Sequence, residues 1–217
     1  MNGSDCGYGL AVGLYKRIFA RYYDSVQEHY EAYIAPRKQA LFADVSGTVV
    51  EIGPGTGANL AFLPRTCRWI GVEPNSYMHE PLRRRAAQAG IEAEFRVGSA
   101  ERIEVSDAQA DVAISTLVLC SVPDMARTLA EIRRVLKPGG RFLFIEHVLG
   151  KTRALRVAQW FMRPAWYAFG DGCRTNRDIG KAIREAGFES AAIEEFHAPS
   201  PPMPRWVAPH ISGEALR

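Results

Sequence analysis

The sequence predicts a doubly wound α/β domain with a mostly parallel sheet, and three observations carry the prediction. From Thr48 onward, short β-branched or apolar runs alternate with segments patterned as helices. A glycine-rich stretch follows the first of those runs, where a strand would hand over to a helix. The chain has 217 residues, 47% hydrophobic and 24% charged, which suits one large core. Strands and helices alternating at this spacing build a parallel sheet covered on both faces.

Residues 1–46 read as a helical cap, with Tyr15, Phe19, Tyr22, Tyr23 and Ile34 at three- and four-residue spacings. Pro36 is compatible with a helix start near that point. Thr48–Ile52 is the first strand and Arg68–Glu73 the second. A helix from about Ser76 to Ala89 is stopped by Gly90. Glu94–Val97 is a third strand, and Asp111–Leu117 a fourth, nearly all apolar as a doubly buried strand should be. A helix from about Met125 to Leu136 stops at Lys137-Pro138-Gly139-Gly140, and Arg141–Val148 is the fifth strand. A basic, aromatic insert occupies about 149–175. A helix over Arg177–Ala186 and strands near 190–196 and 207–215 complete seven strands. No repeat or linker interrupts the pattern, so 1–217 reads as one domain.

The formal net charge of +3 is too mild to predict a nucleic-acid partner, which would need Lys and Arg gathered on one face. The dense cluster Arg83-Arg84-Arg85 falls in a helical pattern and reads as a solvated face. The four cysteines, Cys6, Cys67, Cys120 and Cys173, form no C-x-x-C pair, so spacing predicts no metal site. There is no secretory leader pattern and no apolar run near the ~18 residues that span a bilayer. A reducing cytoplasm without a membrane partner is the expectation.

The strongest local signal is Glu51-Ile52-Gly53-Pro54-Gly55-Thr56-Gly57-Ala58-Asn59. Glycines suit a turn that bends sharply and approaches a ligand without a Cβ in the way. The stretch fits a G-x-G-x-G loop for S-adenosylmethionine, yet Gly53, Gly55 and Ala58 also fit the dinucleotide form. Glu73, about 20 residues on, can accept ribose hydroxyls of either cofactor. No Tyr is followed four positions later by Lys, which removes the catalytic pair of short-chain dehydrogenases. Instead Leu136-Lys137-Pro138-Gly139-Gly140-Arg141 leads into a long strand.

Together with the acid at Glu51 and the strand Asp111–Thr116, this series resembles the motifs of class I S-adenosylmethionine-dependent methyltransferases over roughly residues 40–217. The resemblance implies a Rossmann-like sheet and S-adenosyl-L-methionine as cofactor. It implies cofactor contacts from Glu51, Gly53, Gly55, Gly57 and Asn59, and from Glu73 and Pro74 after the second strand. Ser99, Ala100 and Glu101 would follow after the third strand, Thr116 and Leu117 after the fourth.

Several stretches resemble, more closely, the methyltransferase-like family of small-molecule thiol S-methyltransferases. They are Thr116 to Val122, Glu146-His147-Val148, Pro164-Ala165-Trp166, Asp171-Gly172-Cys173 and Pro209-His210-Ile211. Animal members of that family begin with a hydrophobic anchoring segment that this chain lacks, so a soluble relative is expected. The implied substrate is a small-molecule thiol; an O- or C-methyltransferase of a phenolic or quinone-like compound is the alternative.

A thiol must lose its proton to react, and its pKa lies near ~8.5. A neutral His or a carboxylate within hydrogen-bond reach could take that proton. His147, at the end of the fifth strand, and Asp171, after the insert, are the candidates; either could instead be structural, as a buried imidazole or a turn former. His210 is a weaker candidate, and Cys120 and Cys173 read first as small buried hydrophobes. The aromatic stretches Tyr15–Tyr33 and Trp160–Phe169 would cover the pocket or pack into the core.

Overall fold

The computed structural model describes the backbone of residues 4–198 and 204–217, with side chains from residue 13 onward except Val26. Cys6 therefore lies outside the described side chains. The strands are β1 (Thr48–Ile52), β2 (Arg68–Val72), β3 (Glu92–Arg96), β4 (Ala110–Thr116), β5 (Leu136–His147), β6 (Ser190–His197) and β7 (Pro209–Leu216). The helices are α1 (Ser4–Leu41), α2 (His79–Ala89), α3 (Met125–Val135), α4 (Arg153–Phe169) and α5 (Ile179–Glu185). The sheet runs β3-β2-β1-β4-β5-β7-β6. The first five of these are parallel, and β7 runs antiparallel to both β5 and β6. This is the expected seven-stranded, mostly parallel sheet, and its strand order reverses between β1 and β4. Ligands in open α/β sheets bind at such a reversal, beyond the carboxyl ends of the strands.

Alternation along β5 shows how the sheet buries both faces. Phe142 and Phe144 enter the core with Ile132 and Ile183 from α3 and α5. Leu143 joins the opposite core with Trp69, Phe42 and Leu82, as a period of two requires. The Trp69 ring lies over Gly71, where a Cβ would collide with it. Helix starts follow capping chemistry: the side chains of Asp124, Thr152 and Asp178 accept the N–H of Arg127, Leu155 and Lys181.

Three local expectations are corrected. The glycine-rich loop opens only a 3-10 turn, Leu60–Phe62, because Pro64 forces Leu63 into an extended conformation. Lys137-Pro138-Gly139-Gly140 is no plain stop. Leu136 already pairs with Ala110, and the next partners are Arg141 and Val112, so the intervening residues loop out of the ladder. Pro36 starts no helix; it lies inside α1, which continues past it to Leu41. The burial of Ile34, Lys38 and Phe42 holds that last turn against the body. At 38 residues, α1 is about 57 Å long, enough to cross the edge where the strands end.

Candidate active site

The strand ends at the β1/β4 reversal meet in a glycine cradle. Gly53, Gly55 and Gly57 have φ of 55°, 56° and 89°, the left-handed region that L side chains avoid. A Cβ on Gly53 would strike Val118, and one on Gly57 would strike Leu82 and Leu60. Gly55 faces the ring of Tyr23 from α1, 3.6 Å from where its Cβ would be. Glu73, buried at the end of β2, accepts the N–H of Gly55 at 3.0 Å and of Asn75 at 2.8 Å. Burial raises its carboxyl above the usual range. The cradle fits the nucleoside end of S-adenosylmethionine: a turn without Cβ atoms and a buried acid beside it.

Beneath the cradle the predicted residues Glu51, Asn59 and Thr116 bond to one another. Asn59 Nδ2 donates to Glu51 at 2.8 Å and to Thr116 at 3.0 Å, and Trp69 Nε1 donates to the second oxygen of Glu51 at 2.8 Å. Burial, only partly offset by these bonds, pushes the Glu51 carboxyl up to about 7. Pro74 is exposed beside Glu73. Ser99 and Ala100 precede Glu101, which accepts the Ser99 hydroxyl and the Asp124 N–H. Leu117 adopts a φ of 59°, a strain of order 1–3 kcal/mol for a non-glycine residue. Its N–H is held by Ile145 O at 2.8 Å.

The turn after Leu117 is organised by Glu146, to which sequence reasoning assigned no role. This fully buried carboxylate accepts the Ser115 hydroxyl at 2.5 Å and the N–H groups of Val118, Leu119 and Cys120 at 3.1, 3.1 and 3.4 Å. An acid closing the apolar run Phe142–Ile145 was the available signal, since a carboxylate in such a run must find donors. Arg177 Nη1 donates to Leu119 O at 2.7 Å and Arg174 Nη1 to Val122 O at 3.1 Å, fastening the same turn from the other side.

That turn delivers Cys120 to His147. His147 Nδ1 lies 3.4 Å from Cys173 Sγ and 3.9 Å from Cys120 Sγ, and the two sulfurs are 3.4 Å apart. All three residues are buried. The Cys120 thiol, and then the neighbouring imidazole, hold Cys173 well below the ordinary thiol range; the bond to Cys173 and burial hold Cys120 well above it. The far nitrogen of His147 has no hydrogen-bond partner among the described residues, nor does that of His210, whose ring centroid is 4.4 Å away. Burial lowers the His210 pKa well below the ordinary value. A neutral ring with Nδ1 2.8 Å from Ala208 O must donate there, which leaves Nε2 as an acceptor.

Asp171, the second predicted base, follows α4 with a φ of 47°. Burial raises its carboxyl, and Lys16 partly offsets this. Its charge acts on both Tyr15 and Glu73, and Tyr23 in turn feels Glu73 and Cys120, so the cradle and the cluster share one electrostatic neighbourhood. On α4, by contrast, Trp160, Phe161 and Phe169 are exposed rather than packed in the core. A groove of about 820 Å³ runs along the outer flank of the cradle between Tyr23, Glu31, Gly57, Phe62 and Arg85. It does not include Glu73 or His147. No helix among the described residues is long and apolar enough to cross a membrane.

Residues 50–144 match the family model described as a methyltransferase domain. The chain is 36% identical over 202 residues to thiol S-methyltransferase TMT1A of Homo sapiens, covering 87% of this chain and 81% of that protein. It is likewise 36% identical over 196 residues to thiol S-methyltransferase TMT1B of Rattus norvegicus, covering 83% and 78%. Among solved structures, a putative methyltransferase in complex with the Haloferax volcanii Trm112 activator superposes with a TM-score of 0.71 at 19% identity, covering 93% of this chain and 96% of that one. A geranyl diphosphate methyltransferase in complex with SAM gives 0.67 at 16% identity, covering 84% of each. These two share the fold.

Proposed function

This chain belongs to the thiol S-methyltransferase family of methyltransferase domains, and from that premise we propose that it transfers the methyl group of S-adenosylmethionine to a small-molecule thiol. The observation that carries the proposal is the pairing of two sites on one sheet edge. The glycine cradle closed by Glu73 takes the donor, and the strand-end region that holds His147 and Asp171 takes the acceptor. S-adenosylmethionine, when bound, supplies a methyl group already activated on a sulfonium. Glu73 accepts the ribose hydroxyls. Gly53, Gly55 and Gly57 admit the ligand's close approach, with Pro74, Ser99–Glu101 and Leu117 along its sides. Glu51, Asn59 and Thr116 brace the cradle from below.

Methyl transfer is an in-line displacement, so the protein mainly has to orient the nucleophile, and orientation can supply ~7–11 kcal/mol. It must also provide a thiolate. His147 and Asp171 assist deprotonation at the acceptor site, Asp171 with a carboxyl raised by burial toward the range where a base is effective. Helix α1 and the insert 149–175 cover the site and exclude water. The reaction runs in a reducing cytoplasm, where buried Cys67, Cys120 and Cys173 stay free.

A panel of alkyl and aryl thiols, phenols and catechols with methyl-labelled cofactor tests the assignment. Label should appear in thioethers. Methylation of phenols with none on thiols would overturn the choice of acceptor.

A further inference from the structure

Spacing along the sequence gives no hint of a metal, yet the fold gathers two sulfurs and an imidazole nitrogen at the acceptor edge. We propose that Cys120 Sγ, His147 Nδ1 and Cys173 Sγ bind one Zn²⁺ ion, and that its remaining coordination position receives the acceptor thiol as a thiolate. The second half of this proposal rests on the thiol-methylation reading; the first half does not.

Geometry is the first argument. With Zn–S near 2.3 Å, Zn–N near 2.0–2.1 Å and tetrahedral angles, two sulfurs should stand about 3.8 Å apart and each about 3.5 Å from the nitrogen. The observed separations are 3.4 Å between the sulfurs and 3.4 and 3.9 Å to the nitrogen. A single ion bonded to all three atoms therefore needs shifts of a few tenths of an ångström. The three atoms come from separate, well-fastened elements. Glu146 and Arg177 hold the turn bearing Cys120, His147 ends β5, and the Cys173 N–H is bonded to Gly170 O at 3.0 Å.

Chemistry is the second argument. Thiolate and imidazole ligands suit zinc, and three protein ligands with one open position is the pattern of a catalytic rather than a structural zinc site. Uncompensated thiolates buried to this degree would be costly, whereas Zn²⁺ balances two of them. His147 presents Nδ1 to the sulfurs and so carries its proton on Nε2. The His147 ring packs against His210 at 4.4 Å and Tyr30 at 6.3 Å between centroids, and His147 Nε2, His210 Nε2 and the Tyr30 hydroxyl all lack a partner among the described residues.

The step balances without any redox partner. The acceptor R–SH binds the ion as R–S⁻, and its proton leaves to Asp171 or to solvent. The sulfur attacks the methyl carbon as the carbon–sulfonium bond breaks. The thioether and S-adenosylhomocysteine depart, and the ion stays on its three ligands. In this arrangement His147 promotes deprotonation through the metal, because a coordinated thiol is deprotonated outright.

The test uses the full chain purified under reducing conditions without added metal or chelator. Elemental analysis should find close to one zinc per chain, and Cys120→Ser/Cys173→Ser should lose it. Metal-stripped protein titrated with Co²⁺ should develop sulfur-to-cobalt absorption and the visible bands of a tetrahedral ion. Either single Cys→Ser change should cut the sulfur absorption by about half, and an alkyl thiol should shift the visible bands of the unaltered protein. Wild-type protein with negligible zinc and a Co²⁺ titration without sulfur absorption would overturn the site. Because these readouts need no turnover, the two proposals fail separately. Metal-free protein that methylates thiols at the full rate sinks the catalytic ion and spares the substrate. Sulfur-bound cobalt in a protein that methylates no thiol spares the site and sinks the substrate.

Discussion

The Tyr15 hydroxyl accepts the backbone N–H of Asp171 at 3.2 Å, across 156 positions of sequence. This bond joins α1 to the turn after α4, tying together the two segments proposed to cover the acceptor. Tyr23, about two turns further along α1, rests against Gly55. If the contact closes the site, removing residues 1–28 should leave a folded protein, because Tyr30, Ile34 and Phe42 stay behind to seal the body. Turnover should fall about tenfold or more as orientation loosens. Tyr15→Phe, which removes one bond worth about 1 kcal/mol, should show a smaller loss in the same direction. Circular dichroism alongside steady-state rates checks both; full activity in the truncated protein would make α1 mere packing.

Glu73 is expected to accept both ribose hydroxyls, in addition to its bonds from Gly55 and Asn75. Glu73→Ala should weaken S-adenosylmethionine binding by about 1.5–3 kcal/mol, read by calorimetry. Unchanged affinity would remove this carboxylate from the cofactor site.

Asp171→Asn should lower kcat by about 10²-fold with cofactor affinity little changed. In the unaltered enzyme the carboxylate form is the base, and burial raises its pKa, so activity should fall as pH drops through that raised value. The deficit of the variant should shrink as pH approaches the thiol pKa of ~8.5, where solvent supplies the thiolate. It should also be smaller for acidic aryl thiols than for alkyl thiols. A deficit independent of both pH and thiol class would reduce Asp171 to a shaping residue.

Glu51 makes a separate prediction about stability. Its carboxyl is pushed up from 4.5 to about 7 in the folded protein, which corresponds to about 3 kcal/mol. A raised folded value means the folded state holds the proton more tightly. That stabilisation is complete below pH ~4.5 and is lost as pH rises through ~7. Glu51→Gln stays neutral throughout, so its stability relative to wild type should improve between pH 5 and pH 8 by up to about 3 kcal/mol. Urea melts across that range measure it. A constant difference would show that Glu51 is already ionised in the fold.

Much of this was legible in the chain. β1 was read with its bounds intact because Thr48, Val49 and Val50 are β-branched and Gly53 ends the run. The cradle was legible because the backbone there demands glycine, and Glu73 stands beside it, accepting the Gly55 N–H. The acceptor side was not. Cys120, His147 and Cys173 are separated by 27 and 26 residues, and only the turn held by Glu146 and Arg177 brings them together. No local pattern encodes such a meeting, and the same applies to Tyr15 and Asp171. The insert's helix was also obscured, because Pro164 sits inside α4 and reads as a breaker.

The position of β7 between β5 and β6 has a consequence for biosynthesis. The parallel ladder β3-β2-β1-β4-β5 is complete once β5 has been translated, so that part of the sheet can assemble as it leaves the ribosome, with only the outer edge of β5 waiting for β7. β6 cannot join it; β6 has no ladder partner until β7 emerges and inserts antiparallel between β5 and β6. Bare strand edges are templates for pairing with another chain. A nascent chain halted between His197 and Pro209 would therefore be the aggregation-prone species. A stop codon in that interval should yield insoluble protein, even though the glycine cradle and the Cys120–His147–Cys173 cluster have already been synthesised.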